Sequence, residues 1–344
     1  MKKSITMNQV CNLAPGSVIT GKWNQERYTI IKALGQGATG NVYLADSRRG
    51  NVAIKLSENS MSITSEVNVL KHFSKVQGTL LGPSLLDVDD WLANSQKLVS
   101  FYVMEYVQGN NFLEFTEQRG IEWAGVLTVQ LLTNLERLHQ EGWVFGDLKP
   151  ENLIVSGPPP RIRCIDVGGT TQQGRSIKEF TEFFDRGYWG MGNRKADPPY
   201  DLFSVAMIMI NAAYPKRFKK VNDRDGKGQL IEKIKQHPFL LKHEDVLQRA
   251  LMGNYRSARE MKADFIQLLS TTKKTSKGRP SSHIYKSTIP KQGAPKTSQP
   301  KAHINQTRQQ VKKKKKKANY FIETVVILIG VCVIYSLYVY HVLL

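Results

Sequence analysis

Cysteine is scarce: Cys11, Cys164 and Cys332 stand far apart in 344 residues, with no paired spacing. That excludes a disulfide-stapled secreted scaffold and a cysteine-rich zinc module, and it suits a reducing compartment. Acidic residues are missing from 271–318, where fifteen Lys and Arg accumulate. Lys and Arg are in turn missing from 319–344, which holds one acid, Glu323. The net charge of +20 is therefore local, since residues 1–270 keep 34 bases against 28 acids. A protein basic throughout is excluded. With 41% hydrophobic and 9% aromatic residues, wholesale disorder is excluded too.

The 21 residues from Thr324 to Leu344 carry no Asp, Glu, Lys or Arg. That length crosses a hydrocarbon core of about 30 Å as a helix. Tyr335, Tyr338 and Tyr340 cluster near its far end, where amphipathic rings favour an interface, and Lys312–Lys317 flank it on the side that stays cytoplasmic. The first residues contain no apolar run of signal-peptide length. The expectation is a transmembrane helix at 320–344, residues 1–270 facing the cytoplasm at the cell membrane, and no external domain after Leu344.

Residues 271–318 mix Lys, Ser, Thr, Pro, Gly and Gln and read as a flexible linker, about 35–40 Å end to end as a coil. Nine of its cations, Lys273, Lys274, Lys277, Arg279, Lys286, Lys291, Lys296, Lys301 and Arg308, are spread along it. They suit sequence-neutral contact with phosphates, of DNA or of anionic lipid. Composition does not separate the two. A polyanion gripping several tethers would raise local concentration and favour self-association and phosphorylation in trans.

Within 1–270 an N-terminal extension (1–27) precedes a β-rich part (28–107) and a helical part (108–270). Tyr28–Ile31, Asn41–Leu44, Val52–Lys55 and Phe101–Met104 read as strands, with one helix at about Ile63–Phe73. Apolar residues then recur at helical spacing from Trp123 to Leu138, and Asp201–Ala213 is apolar nearly all round, as a buried central helix would be.

Four segments carry chemistry. Leu34, Gly35, Gln36, Gly37, Ala38, Thr39, Gly40, Asn41 and Val42 lie between two strands, where glycines let a hairpin lie flat over phosphates. Val42 and Ala53 would wall a planar base. Lys55 sits inside an apolar strand and calls for negative charge, from phosphates and from a carboxylate. Glu66 on the next helix is the natural partner and Glu58 a rival. Phe145-Gly-Asp-Leu-Lys-Pro-Glu-Asn152 supplies Asp147 to accept a hydroxyl proton, Lys149 to neutralise a phosphoryl group and Asn152 to hold metal. In Arg163-Cys-Ile-Asp166-Val-Gly168 a strand runs into an acid able to chelate Mg²⁺ or Mn²⁺.

Together these residues resemble the Hanks-type (eukaryotic-like) protein kinase family over about residues 28–270. The resemblance implies a two-lobed α+β fold, ATP with a divalent metal, and transfer of the γ-phosphoryl group to Ser or Thr of protein substrates. It assigns adenine contact to the hinge Glu105–Val107, with Met104 as gatekeeper. It also matches Asp201 to a buried aspartate opening the large-lobe helix. The combination of a cytoplasmic kinase, a basic linker and one span is similar to membrane-anchored kinases of spore-forming bacilli. A nucleotide-binding pseudokinase scaffold and a small-molecule kinase are the alternatives. Lys149, two residues after Asp147, and Asp201 with its apolar helix favour a protein kinase.

The chain departs from the family pattern at three places. His-Arg-Asp is Phe145-Gly146-Asp147, so a phosphorylated loop lacks its arginine. Loop phosphorylation is therefore not expected to be the main on-switch, although Thr170, Thr171, Ser176 and Thr181 are present. Asp-Phe-Gly is Asp166-Val167-Gly168, with Phe145 expected to restore the volume that Val167 gives up. Ala-Pro-Glu is absent, which would leave Arg256 without its carboxylate.

Overall fold

Alternating buried and exposed positions from Arg27 onward make strands, and the computed structural model organises them into one sheet. It describes residues 11–37, 39–75, 82–93, 97–221 and 225–275. The chain divides into units 1–280 and 281–344, and every described residue belongs to the first. The expected transmembrane segment, Ala38 and the linker cations from Lys277 to Arg308 lie outside the described residues. Among the described residues no helix is long and apolar enough to cross a membrane.

The N-terminal lobe contains β1 (Val18–Thr20), β2 (Arg27–Gly37), β3 (Gly40–Ser47), β4 (Gly50–Ser57), α1 (Ser60–Lys75), β5 (Leu85–Ala93) and β6 (Lys97–Glu105). The strands form an antiparallel sheet ordered β1-β2-β3-β4-β6-β5. The four strands and the helix read from the sequence are all present. The stretch taken as an N-terminal extension is instead part of the lobe from Cys11 onward, with β1 paired to β2 and Cys11 and Ile19 buried in the sheet's core.

The C-terminal lobe adds β7 (Asn110–Asn111), α2 (Phe112–Arg119), α3 (Glu122–Gln140), β8 (Trp143–Val144), β9 (Leu153–Ser156), β10 (Arg161–Cys164) and β11 (Thr171–Gln172). It continues with α4 (Pro198–Ala213), α5 (Gly226–Gln236), α6 (Pro238–Leu241), α7 (Glu244–Leu251) and α8 (Ala258–Thr275). Asp197 caps α4 by accepting from the Tyr200 N–H, and every residue from Tyr200 to Asn211 is buried, as its all-round apolar pattern requires. Helix α8 continues five residues into the segment expected to be linker, so Lys273 and Lys274 have helical backbone. One core cluster runs from α1 through α3 and α4 to α8 and holds both Phe145 and Val167.

Candidate active site

The glycine hairpin is built by β2 and β3, with Gly35 opposite Val42 and Gly37 opposite Gly40. Gly40 has φ +146°, and a Cβ there would lie 2.3 Å from the Leu56 carbonyl oxygen, so only glycine fits. Below the hairpin opens a cavity of about 920 Å³. Leu34, Gly35, Gln36, Gly37, Thr39, Gly40 and Val42 form its roof, with Ala53, Lys55, Met104, Glu105 and Val107 behind. Asp147, Lys149, Asn152, Ile154, Ile165 and Asp166 line the floor. Asn41 does not belong to this wall. Strand alternation turns Gly40 and Val42 to the cavity and Asn41 away from it, where its Nδ2 donates to the Cys11 carbonyl at 2.8 Å.

Lys55 is 3% exposed, and a buried ammonium needs a partner. Glu66 on α1 supplies it at 2.7 Å, while Glu58 pairs with Lys97 instead. Glu66 contacts Lys55 and does not line the cavity. Its second partner is the Tyr102 hydroxyl, donating at 2.8 Å from the strand position opposite Lys55. Burial and the Glu66 carboxylate hold that phenol well above the usual tyrosine range. Asp166 Oδ1 lies 4.0 Å from the Lys55 ammonium and accepts from the Gly168 N–H at 3.0 Å.

The loop after β8 is anchored from below. Asp201, fully buried on α4, accepts from the N–H groups of Phe145 (2.8 Å) and Gly146 (2.9 Å) and contacts His139 at 2.9 Å. Asp147 is thereby presented to the cavity, with the Lys149 ammonium 2.5 Å away. The Thr181 hydroxyl donates to Asp147 Oδ1 at 3.0 Å and accepts from Lys149 at 3.1 Å. A serine or threonine hydroxyl thus already fits between this acid and this ammonium. Asn152 donates its amide to the Asp147 carbonyl at 2.9 Å, which leaves the amide oxygen to serve a cation.

Asp166 and Asn152 offer oxygen donors suited to Mg²⁺. Among the described residues no three His, Cys, Asp or Glu form a metal site by themselves. A divalent ion held by Asp166 and Asn152 would draw further ligands from substrate phosphate oxygens and water, a set that Mg²⁺ accepts. At the back of the cavity, Glu105 turns its carboxylate to the Arg163 guanidinium and the Ser84 N–H, and its own N–H to the Ser84 carbonyl. Arg163 holds that carboxyl below its usual range.

The segment from Asp166 to Asp197 is fixed by its own backbone. Thr171 and Gln172 pair with β8, and the N–H groups of Ile177 and Ala196 donate to the Arg194 and Arg175 carbonyls. Thr170 and Thr171 are fully buried, whereas Ser176 is exposed. Asp185 receives Arg194, Tyr200 and two backbone N–H groups, so a carboxylate anchor does exist here. It is local to the segment, while Arg256 stays exposed.

Thr181 was legible in the sequence only as a loop hydroxyl, and Tyr102, Arg163, His139 and Glu179 gave no local signal. Glu179 lines the cavity, and burial followed by the nearby Asp166 charge raises its carboxyl above the usual range.

Residues 28–288 match the protein kinase domain family. Over 333 residues the chain is 50% identical to the serine/threonine-protein kinase YabT of Bacillus subtilis (strain 168), covering 96% of both proteins. It is 24% identical over 248 residues to the serine/threonine-protein kinase ULK3 of Rattus norvegicus, covering 65% of this chain and half of that one. A crystal structure of the Mycobacterium tuberculosis PknI kinase domain aligns with a TM-score of 0.49 at 19% identity, covering 75% of this chain and all of that domain. Because the kinase-domain match spans most of the chain and the Bacillus subtilis serine/threonine kinase is matched at 50% identity almost end to end, this chain belongs to the protein kinase domain family and is a serine/threonine protein kinase.

Proposed function

We propose that this kinase acts from the membrane on protein Ser/Thr hydroxyls, with ATP held under the glycine hairpin. Asp147 orients the acceptor hydroxyl and takes its proton, and Lys149 neutralises charge on the transferred group. Lys55, fixed by Glu66, positions the phosphates. Asp166 and Asn152 hold the divalent ion, which supplies charge neutralisation at the phosphates when bound. The observation that carries this reading is the Thr181 hydroxyl, bonded at once to Asp147 (3.0 Å) and Lys149 (3.1 Å). Catalysis of phosphoryl transfer is mostly positioning plus electrostatics, and the groups for both converge here.

Tethering by 320–344 and regulation through 271–318 rest on composition: 21 residues free of Asp, Glu, Lys and Arg follow fifteen cations without an acid. DNA gripped by several linkers brings kinases together and stimulates phosphorylation in trans. The test is phosphate transfer from labelled ATP with Mg²⁺, wild type beside Asp147→Asn, with duplex DNA, with anionic vesicles, and with neither. Transfer by the wild type alone supports the assigned role of Asp147. Stimulation by DNA that disappears at high salt, or when 271–318 is deleted, supports the regulatory role. Stimulation by vesicles alone reassigns the linker to lipid, and transfer by Asp147→Asn at the wild-type rate overturns the catalytic assignment.

A further inference from the structure

The segment from Cys11 to Asn24 crosses the N-terminal lobe and is fixed at both ends. At one end the buried Cys11 carbonyl accepts two hydrogen bonds from β3, from Tyr43 Oη (2.7 Å) and Asn41 Nδ2 (2.8 Å). The Leu13 N–H donates back to Tyr43 Oη at 3.0 Å. In its middle, β1 pairs with β2, and the N–H of Gly16 and of Ile30 bond across to Ile30 and Ser17. At the other end the Lys22 N–H donates to the Asp90 carbonyl (2.7 Å), and the N–H groups of Trp23 and Asn24 donate to the buried Asp89 carboxylate (3.1 and 3.0 Å). Asp89 and Asp90 lie on β5, the far edge of the sheet from β1. One strap therefore joins β3, β2 and β5.

Its attachment on β3 lies directly behind the nucleotide cavity. Gly40 and Val42 face that cavity, and Asn41 and Tyr43, 3% and 2% exposed, face the strap. Any slide of the hairpin relative to the sheet must break the bonds to the Cys11 carbonyl or drag the strap with it. Gly35 and Gly37 bring no side chain to pack, so besides the strap the hairpin is held through the ladder of β3 to β4.

We propose that Asn41 and Tyr43 are positioning residues for ATP: through the Cys11 carbonyl they hold the rear of the glycine hairpin, so the strap sets nucleotide affinity without touching nucleotide. The consequence is a selective effect. Loosening the rear of the hairpin weakens the grip on phosphates, while Asp147, Lys149 and the acceptor hydroxyl stay where α4 anchors them.

The experiment uses the full-length protein, with casein as acceptor for kinetics and mant-ATP for direct binding. Asn41→Leu removes one bond to the Cys11 carbonyl, and Tyr43→Phe removes the other together with the acceptor of the Leu13 N–H. Asn41→Leu is expected to raise the KM for ATP and the Kd for mant-ATP about fivefold, equivalent to the ~1 kcal/mol of one buried hydrogen bond, and Tyr43→Phe by at least as much, each with kcat at saturating ATP changed less than about twofold. Tyr28→Phe is the control. It removes a hydroxyl of the same core cluster that bonds Asp87 (2.6 Å), and it should leave the KM for ATP unchanged. Unchanged KM in both strap variants, an equal rise in Tyr28→Phe, or a fall in kcat with KM unmoved would each overturn the proposal. If the variants fail to fold, the wild type still decides. Coupling is reciprocal, so saturating mant-ATP must slow amide hydrogen exchange in residues 11–24, and no change there rejects the strap as a determinant of affinity.

Discussion

Arginine at position 146 would restore the guanidinium that the catalytic loop lacks, yet the backbone at this position admits only glycine. Gly146 has φ +85°, a conformation that costs an L-residue about 1–2 kcal/mol. A Cβ at 146 would lie 2.5 Å from the Gly169 carbonyl oxygen, and Gly169 cannot retreat freely because it packs against Asp147. Relieving the clash stretches the Gly146 N–H bond to the buried Asp201 carboxylate, and a hydrogen bond to a charged group contributes about 1.5–3 kcal/mol. The sum, about 3–5 kcal/mol, corresponds to a fall in melting temperature of roughly 10 °C for a domain of this size. Gly146→Ala carries the same Cβ and should lose nearly as much as Gly146→Arg. Differential scanning calorimetry and transfer of labelled phosphate, run on both variants, test this. A Gly146→Ala protein melting within 2 °C of wild type at full activity would refute the steric argument. A Gly146→Arg protein that becomes dependent on phosphorylated Ser176 would show that the missing arginine, and not the close backbone approach, governs the loop.

Other perturbations read other parts of the site. Glu66→Gln strips the buried Lys55 of its counter-charge and should lower kcat/KM about 100-fold, whereas Tyr102→Phe, which removes only the second hydrogen bond on Glu66, should lower it less than about tenfold in the same steady-state assay. Thr181→Ala should reduce kcat by at least about tenfold, while Thr181→Ser keeps the hydroxyl between Asp147 and Lys149 and should stay within about threefold of wild type. Glu179 has a carboxyl raised chiefly by burial, so its contribution to stability is present below the unfolded value and lost as pH rises through the folded one. Thermal melts of the nucleotide-free protein should therefore place Glu179→Gln about 1–2 °C above wild type at pH 8, with the difference shrinking towards pH 5.

The segments whose function depends on local backbone chemistry were legible in order: glycines for a hairpin that must lie flat, a lysine inside an apolar strand, and Asp-Leu-Lys-Pro-Glu-Asn after a long helix. Such signals survive in one dimension because the spacing itself produces the geometry. Strand alternation was also sufficient to turn Asn41 away from Val42, yet the motif as a block hid that alternation. The choice of Glu66 over Glu58 was argued from helix position, and the structure adds the reason: Lys97 on the facing strand takes Glu58.

The rest depended on contacts between residues distant in the chain. Tyr102 reaches Glu66 across 36 positions, Thr181 reaches Asp147 across 34, and Arg163 reaches Glu105 across 58. None of these pairs has a spacing that a sequence pattern can register. Burial gives each its energetic weight, because an unpaired charge or hydroxyl costs most where water is excluded. By itself the sequence determined the lobes, the candidate reacting groups and the charge layout of the tail. Only the tertiary structure decided which partner each buried polar group found, and hence that residues 11–24, with no motif of their own, brace the hairpin over the nucleotide cavity.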